Sequence, residues 1–269
     1  MGNQENRWAL SNWQEVTNWC KERNSQSIIC TIDILGENIR TEEDAKQVLN
    51  KHIDCIRRIQ KENLKASLAV KLSALGANFD QEQCKEYLFI VLKEAQENQV
   101  PIEIDIEGTP MVKFTLKTAF LAKEKGYPVI LALQSYLDRT KNDLKKVLDH
   151  GITVRLVKGA YKGNINDFFL IQKRFRGLFT QLLENESHFL VGTHDRELIA
   201  WMKEKAGNNK EIIEFGFLKG LADKTKIILA EQGWGVSEYV PFGSERKAYE
   251  TRRRRYLSEL QRLRRIPAP

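Results

Sequence analysis

Short apolar runs recur along the chain, and each is followed by a stretch with the spacing of an amphipathic helix. The first run covers residues 27–35, and a helix-capping sequence that begins at Thr41 follows it. Further strands are predicted at residues 67–73, 101–106, 128–134, 152–157, 188–193, 211–216 and 235–241, and the helices that follow them near 80–98, 109–125, 138–149, 164–185, 195–206, 221–232 and from 245. Eight alternating units predict an α/β fold, the (β/α)8 TIM-like barrel.

A separate amphipathic helix with three tryptophans is predicted over residues 6–24, before the first strand. We therefore divide the chain into an N-terminal helical segment, residues 1–26, and a barrel domain, residues 27–269. An open doubly wound sheet is the competing fold, and it usually carries a GxGxxG turn after its first strand. The sequence has no such turn at that position.

Polar side chains stand at the C-terminal ends of the predicted strands, where barrel enzymes place their functional groups. They are Asp33, Lys71, Ser73, Asp105, Glu107, Gln134, Tyr136, Arg155, Lys158, Tyr161, Thr193, His194, Glu214 and Tyr239. Each one alone could be an ordinary polar group of a barrel layer or a satisfied strand-end residue. Together on one rim they predict a charged pocket with paired acids and bases.

The segment of residues 152–163 carries the most specific of these signals. Arg155 lies within a β-branched strand pattern, and Lys158 and Gly159 follow at once. Two cations beside a glycine that permits close backbone approach suit an anionic or electron-rich ligand, such as a phosphorylated cofactor. The alternative is a strand end with two solvated cations.

The charge of the chain is concentrated near its C-terminal end. The formal net charge is +7, and residues 245–269 hold nine arginines and lysines against three glutamates. This distribution argues against a protein that coats nucleic acid, and we expect no nucleic-acid partner. It predicts one cationic helix, which would face an anionic substrate, a membrane surface or water.

The cysteine pattern and hydropathy indicate a reducing compartment. The chain has no CxxC spacing, and its cysteines lie in or beside apolar stretches, so we expect reduced core thiols and no metal site. No run of about eighteen apolar residues and no apolar signal segment occur in the sequence. We expect a cytoplasmic protein that touches the inner face of the membrane at most peripherally.

Nine short segments, in order along the chain, resemble the proline dehydrogenase family. They are IDILGE (32–37), VKLSALG (70–76), IDIE (104–107), LQSY (133–136), RLVKGAY (155–161), GTHD (192–195), EF (214–215), YVPFG (239–243) and YETRR (249–253). RLVKGAY is the most specific of them. The resemblance implies a barrel that holds FAD non-covalently. It also implies a long C-terminal helix over the active site.

The resemblance also implies a role for each matching residue. Asp105 and Arg155 would be catalytic, with Asp105 as the partner that sets the charge of Lys71. The substrate would be held by Lys71, Tyr239, Arg252 and Arg253, with the two arginines clamping a carboxylate and Tyr239 packing against the ring. The cofactor would be bound by Ile106, Gln134, Arg155, Lys158, Gly159, Ala160, Tyr161, Thr193 and His194.

The implied activity is oxidation of L-proline to Δ1-pyrroline-5-carboxylate, with electrons passed to a membrane quinone. Two positions depart from the family pattern: Tyr256 stands where the family has a glutamate, and Gly216 where it usually has glutamine. These departures keep two alternatives open, a flavin oxidoreductase of another secondary amine and an FAD-binding barrel that has lost catalysis. A membrane or nucleic-acid binder that works through the arginine helix is a further alternative.

Overall fold

A closed barrel of eight parallel strands forms the centre of the protein in a computed structural model, which describes residues 7–36, 39, 41–159, 163–165 and 167–264. Each strand pairs with the next along the chain, and β8 pairs with β1 to close the barrel. The strands are β1 Ile29–Ile34, β2 Ala66–Val70, β3 Ile102–Ile104, β4 Val129–Gln134, β5 Thr153–Val157, β6 Phe189–Gly192, β7 Ile213–Leu218 and β8 Gly235–Phe242. The predicted barrel is confirmed.

One helix precedes the barrel and one follows each strand. The helices are α1 Trp13–Ser25, α2 Glu42–Lys61, α3 Gln81–Glu97, α4 Thr109–Glu124, α5 Thr140–Asp149, α6 Phe168–Glu184, α7 Arg196–Ala206, α8 Asp223–Glu231 and α9 Lys247–Arg262. The predicted cap at Thr41 is present, since its hydroxyl accepts a hydrogen bond from the Asp44 N–H at 3.1 Å. Asp80 and Asp195 cap α3 and α7 in the same way.

The hydrophobic core fills the layer between the strands and the surrounding helices, and few large apolar side chains are left exposed. Phe179 of α6, for example, packs edge to face on Phe189 of β6, with ring centroids 5.6 Å apart. All four cysteines are buried and carry free thiols, as predicted. Burial raises the pKa of the Cys84 thiol to about 12, so this thiol stays protonated.

The N-terminal helix is shorter than predicted, because it begins at Trp13 rather than near residue 6. Asn12 caps it by accepting a bond from the Glu15 N–H, and Leu10 instead forms a β-bridge with Phe242. The helix packs on the outside of β8 and β1, where the Trp19 indole donates to Glu238 Oε1 at 2.7 Å. In a regular barrel the helix after the last strand would occupy this position.

The last helix, α9, lies across the C-terminal mouth of the barrel. Its Arg253, Tyr256 and Glu259 line the same cavity as strand-end residues such as Asp105. The expected placement of the long C-terminal helix over the active site is therefore confirmed.

Several strand boundaries differ from the predicted ones, and two of the differences affect residues near the mouth of the barrel. Strand β7 extends to Leu218, two residues further than predicted, so Glu214 lies deep in the strand and does not reach the rim. Strand β2 ends at Val70, because Lys71 begins a short 3-10 turn over Leu72–Leu75. The rim position predicted for Glu214 is wrong, and its place is taken by Leu218.

Candidate active site

A cavity of about 340 Å³ opens at the C-terminal ends of the strands, beneath α9. This volume lies within the usual range of small-molecule sites. Most of the predicted site residues line it, namely Lys71, Asp105, Ile106, Arg155, Lys158, Gly159, His194, Tyr239, Arg252 and Arg253. Gln134 and Thr193 are buried but do not contribute to the lining. Ala160 and Tyr161 lie outside the described residues.

Two carboxylates, a lysine and a tyrosine form a hydrogen-bonded cluster on one side of the cavity. Lys71 Nζ lies 2.5 Å from Asp33 Oδ1, 3.2 Å from the Tyr239 hydroxyl and 3.4 Å from Asp105 Oδ2. The Tyr239 hydroxyl donates to Asp105 Oδ2 at 2.6 Å. All four side chains come from the ends of β1, β2, β3 and β8, which are neighbours in the barrel.

Burial shapes the protonation of this cluster. It raises the pKa of Asp105, with Lys71 opposing and Asp33 reinforcing the shift. Burial, with the nearby carboxylates, raises the pKa of Tyr239 well above its usual value, so the phenol stays neutral and remains a donor. The cluster therefore offers one ammonium cation and one carboxylate whose affinity for a proton is increased.

Arg155 lies beside this cluster, on the inner face of β5. Its guanidinium is 3.9 Å from Asp105 Oδ1 and 5.5 Å from the centre of the Tyr239 ring. Burial lowers the pKa of this guanidinium, although an arginine remains charged at any ordinary pH. Arg155 thus extends the row of polar groups from β8 around to β5.

The other side of the cavity is built around Lys158 and Gly159, which follow β5. Lys158 Nζ lies 3.7 Å from the fully buried carboxylate of Asp195, the residue that caps α7. Gly159 has φ +135°, and a Cβ added to it would lie 2.7 Å from Tyr136 Cγ and 2.8 Å from Gln134 Oε1. Only glycine fits at this point.

Gln134 presents a buried acceptor to this side of the site. Its Nε2 donates to the backbone carbonyl of Glu107 at 3.0 Å. Its Oε1 is buried and has no hydrogen-bond partner among the described residues. An orphaned buried acceptor costs free energy unless a ligand or water supplies a donor.

His194 lies at the mouth, between the strands and α9. Its Nε2 accepts a hydrogen bond from the Leu218 N–H at 2.9 Å, which fixes the tautomer with the proton on Nδ1. Burial, together with nearby cations, lowers the pKa of His194 well below its usual value. The Tyr256 ring packs edge to face on the imidazole at 5.7 Å, and its hydroxyl accepts from the His194 backbone N–H at 3.4 Å.

Helix α9 forms the roof of the cavity and contributes cations and aromatic rings to it. Arg253 is 8% exposed, and its guanidinium lies 5.0 Å from the centre of the Tyr249 ring and 6.0 Å from that of Tyr256. Arg252 and Glu259 also line the cavity. Arg255 lines it as well, so the roof combines three arginines with one carboxylate.

Several lining residues had no role assigned to them by the family resemblance. They are Thr31, Asp33, Tyr136, Val157, Ile165, Ile171, Gly192, Gly216, Phe217, Leu218, Ser237, Tyr249, Arg255, Tyr256 and Glu259, with Ala132. Asp33 and Tyr136 had a signal, because both stand at predicted strand ends. Thr31 and Ser237 lie two residues before a rim residue, and strand alternation places such residues on the same inner face.

Residues 16–164 match the family model described as proline dehydrogenase, and this match spans more than half of the chain. The chain belongs to the proline dehydrogenase family. The segments that resemble proline dehydrogenases are spread over all eight barrel units, yet most of their polar residues meet at this one cavity.

Two curated relatives have similar length and moderate identity. Proline dehydrogenase 1 of Bacillus subtilis (strain 168) is 29% identical over 240 residues, which are 87% of this chain and 80% of that protein. Proline dehydrogenase of Deinococcus radiodurans is 29% identical over 236 residues, which are 82% of this chain and 76% of that protein.

A solved structure shares the fold. Proline utilization A (PutA) from Bdellovibrio bacteriovorus, inactivated by N-propargylglycine, matches with a TM-score of 0.83 at 23% identity and covers 92% of this chain. The matched region is only 32% of that longer protein. This likeness therefore concerns the fold of this chain and about a third of that protein.

Proposed function

We propose that this member of the proline dehydrogenase family uses non-covalently bound FAD to oxidise L-proline to Δ1-pyrroline-5-carboxylate and passes the electrons to a membrane quinone. Family membership supports an oxidoreductase that acts on the CH–NH group of proline, and members of this family are generally flavoproteins. The observation that carries the proposal is the cavity in which the cluster of Asp33, Lys71, Asp105 and Tyr239 lies beneath the arginines of α9.

The residues of the cavity fit a flavin. The edge of an isoalloxazine ring carries carbonyl oxygens and ring nitrogens that need donors, and one N–H that needs an acceptor. Arg155 and Lys158 line the cavity and supply donors. The orphaned Oε1 of Gln134, which lies against the lining residue Gly159, supplies the acceptor. Ile106 and Val157 give apolar walls for a planar ring. When bound there, FAD supplies the acceptor for a hydride.

Arg252, Arg253 and Lys71 suit the carboxylate of an amino acid. A guanidinium binds a carboxylate through two parallel hydrogen bonds, and the two arginines enter the cavity from the same turn of α9. Tyr239 and Leu218 offer apolar surface to a saturated ring, and both line the cavity. The substrate would thus lie with its carboxylate toward the roof and its ring against β7 and β8.

Asp105 is the carboxylate suited to the substrate's amine. Oxidation removes a hydride from ring carbon C5 and a proton from nitrogen, and leaves a C5=N double bond. A nitrogen that still carries its extra proton cannot supply the electron pair for that double bond. Asp105, with its raised pKa and its bond from Tyr239, accepts the ammonium proton and becomes neutral, while the adjacent Lys71 stays paired with Asp33.

Two surface features support delivery of the electrons at an anionic membrane. Helix α9 carries a dense arginine cluster, and Phe169 and Leu170, at the start of α6, are 65% and 40% exposed. Basic and apolar side chains near the mouth suit peripheral contact with anionic lipids. In the described part of the chain, no helix is both long enough and apolar enough to cross a bilayer.

The proposal is tested with N-propargylglycine, the compound that inactivated PutA from Bdellovibrio bacteriovorus. The purified protein is incubated with this compound, and its turnover of L-proline with a soluble quinone is followed over time. We expect progressive loss of turnover that excess L-proline prevents and excess D-proline does not. Persistent full turnover in the presence of the compound, or protection by both enantiomers alike, contradicts the proposal.

A second candidate, oxidation of a larger secondary amine, is favoured by one wall of the cavity. Gly192, Gly216 and Ser237 pair in register across β6, β7 and β8, and all three line the cavity. Larger side chains at these three positions would narrow the cavity on this side, and the two glycines and the serine favour a bulkier substrate ring there. A kcat/KM for L-pipecolate above that for L-proline would decide for this candidate.

A further inference from the structure

A buried glutamate lies inside the barrel, beneath the cavity. Glu103 belongs to β3 and is 3% exposed, and it does not line the cavity. It stands two residues before Asp105, so strand alternation places both side chains inside the barrel, with Glu103 about 6–7 Å deeper along the strand. A carboxylate at this depth requires partners that compensate its charge.

Its partners come from three other strands. The Thr31 hydroxyl of β1 donates to Glu103 Oε1 at 2.8 Å, and the Ser67 hydroxyl of β2 donates to the same oxygen. Glu103 Oε2 forms an ion pair with the Arg155 guanidinium of β5. Arg155 Nη2 also donates to the Thr31 hydroxyl at 3.4 Å.

Glu103 is therefore the nearest counter-charge of Arg155, since Asp105 Oδ1 lies 3.9 Å from the guanidinium. The two hydroxyls fix the carboxylate, and the carboxylate fixes the guanidinium. The other cations at the strand ends show the same arrangement, with Lys71 beside Asp33 and Lys158 beside Asp195.

We infer that Glu103 is a positioning residue for Arg155, which it holds against the cofactor side of the cavity, and that its charge lowers the reduction potential of the bound flavin. This inference rests on the proposed function. Reduction adds negative charge to a flavin, and an uncompensated guanidinium nearby favours that added charge. With Glu103 ionised, Arg155 provides hydrogen-bond donors while the pair adds no net charge.

The test measures the two-electron reduction potential of the flavin in the holoenzyme, by anaerobic equilibration with a redox dye. Glu103→Gln keeps the size of the side chain and removes its charge. We expect the equilibrium to shift at least tenfold toward the reduced flavin, which corresponds to about 30 mV. A simple structural defect would lower stability or flavin content without raising the potential.

Glu238→Gln is the matched control. Glu238 is also fully buried and ion-paired, with Lys226 and Arg23, but it lies on the outer face of β8 and away from the cavity. Its variant is expected to keep the wild-type potential. Equal potentials for the wild type, Glu103→Gln and Glu238→Gln overturn the inference.

Glu103→Gln alone leaves the buried guanidinium of Arg155 without its nearest counter-charge. A second comparison avoids this by using variants in which Arg155 is already neutral. Arg155→Gln is compared with the double variant Arg155→Gln/Glu103→Gln, in which both charges of the pair are gone. The double variant should have the higher potential, and equal potentials overturn the inference. A wild type that binds no flavin overturns the proposed function together with this inference. A flavin that bleaches with proline but has a potential independent of Glu103 overturns the inference alone.

Discussion

Lys71 Nζ lies 2.5 Å from Asp33 Oδ1 and 3.4 Å from Asp105 Oδ2. The first carboxylate therefore holds the lysine, and the second, which also accepts from Tyr239, is left as the group with a raised pKa. Asp33 and Asp105 are chemically identical and line the same cavity, but their roles differ. Asp33 anchors a cation, and Asp105 is available to a substrate.

Loss of Asp33 should destabilise the protein more than loss of Asp105. Loss of Asp33 leaves the buried ammonium of Lys71 with only its more distant partner, Asp105, and we expect Asp33→Asn to lower the free energy of unfolding by about 3 kcal/mol. Asp105→Asn should cost less, because the closer partner of Lys71 remains. Urea unfolding of the two variants measures the difference. A larger loss for Asp105→Asn would show that the anchor is assigned to the wrong carboxylate.

Arg253 should act on substrate affinity rather than on cofactor content. Arg253→Ala removes charge-assisted hydrogen bonds to the substrate carboxylate, so we expect KM for L-proline to rise about 10- to 100-fold. The flavin content per protein, measured by absorbance, should stay within about 20% of the wild type. Arg252→Ala is expected to behave in the same way.

The control is Arg262→Ala, on the exposed last turn of the same helix and outside the cavity lining. It should leave KM unchanged. If Arg253→Ala loses flavin and affinity to the same degree, then α9 serves the structure of the barrel and not the binding of the carboxylate.

Two glycines of the cavity should respond in opposite ways to alanine. Gly159→Ala forces a Cβ against Tyr136 and Gln134 at a positive φ, so we expect loss of flavin and of stability. Gly216→Ala places its Cβ at ordinary contact distance, 3.5 Å from Val191 O and 3.6 Å from Ser237 Oγ. Its free energy of unfolding should change by less than about 1 kcal/mol. Flavin absorbance and thermal melts compare the two variants, and equal behaviour would contradict the described packing.

Lys219 should make stability depend on pH in an unusual direction. Burial lowers the pKa of its ammonium to about 8 in the folded protein, whereas an unfolded lysine titrates near about 10.4. Between these values the unfolded chain binds more protons, so the wild type should become more stable relative to Lys219→Met as pH rises from about 8 to about 10. Urea unfolding at several pH values measures this difference.

Lys205→Met, at an exposed position of α7, provides the reference. Its stability relative to the wild type should not change over the same pH range. A difference between wild type and Lys219→Met that is constant with pH would mean that Lys219 is not desolvated in the folded protein.

The barrel could be predicted because each of its units has a local signal. The apolar runs gave the strands, and Thr41 and similar capping residues marked where the helices begin. The strand-end rule then found most of the polar side chains that the strands contribute to the cavity, without knowledge of any distance.

The missed features depend on contacts that sequence spacing does not contain. Glu103 lies inside the barrel, one layer of side chains below the rim. It forms an ion pair with Arg155, which is 52 positions away in the sequence. The end of β7 is a different case, since its apolar pattern continues in the sequence through Phe217 and Leu218 and was ended two residues too early. The choice of Asp33 over Asp105 as the nearer partner of Lys71 depends on side-chain geometry across β1, β2 and β3.

The most direct test of the proposed reaction is the absorbance spectrum of the purified protein, recorded before and after anaerobic addition of L-proline. We expect flavin bands near about 380 and about 450 nm that bleach when proline is added. Bands that do not bleach would support the flavin site and contradict the assignment of the substrate. A colourless protein that FAD cannot reconstitute would contradict both the cofactor and the proposed reaction.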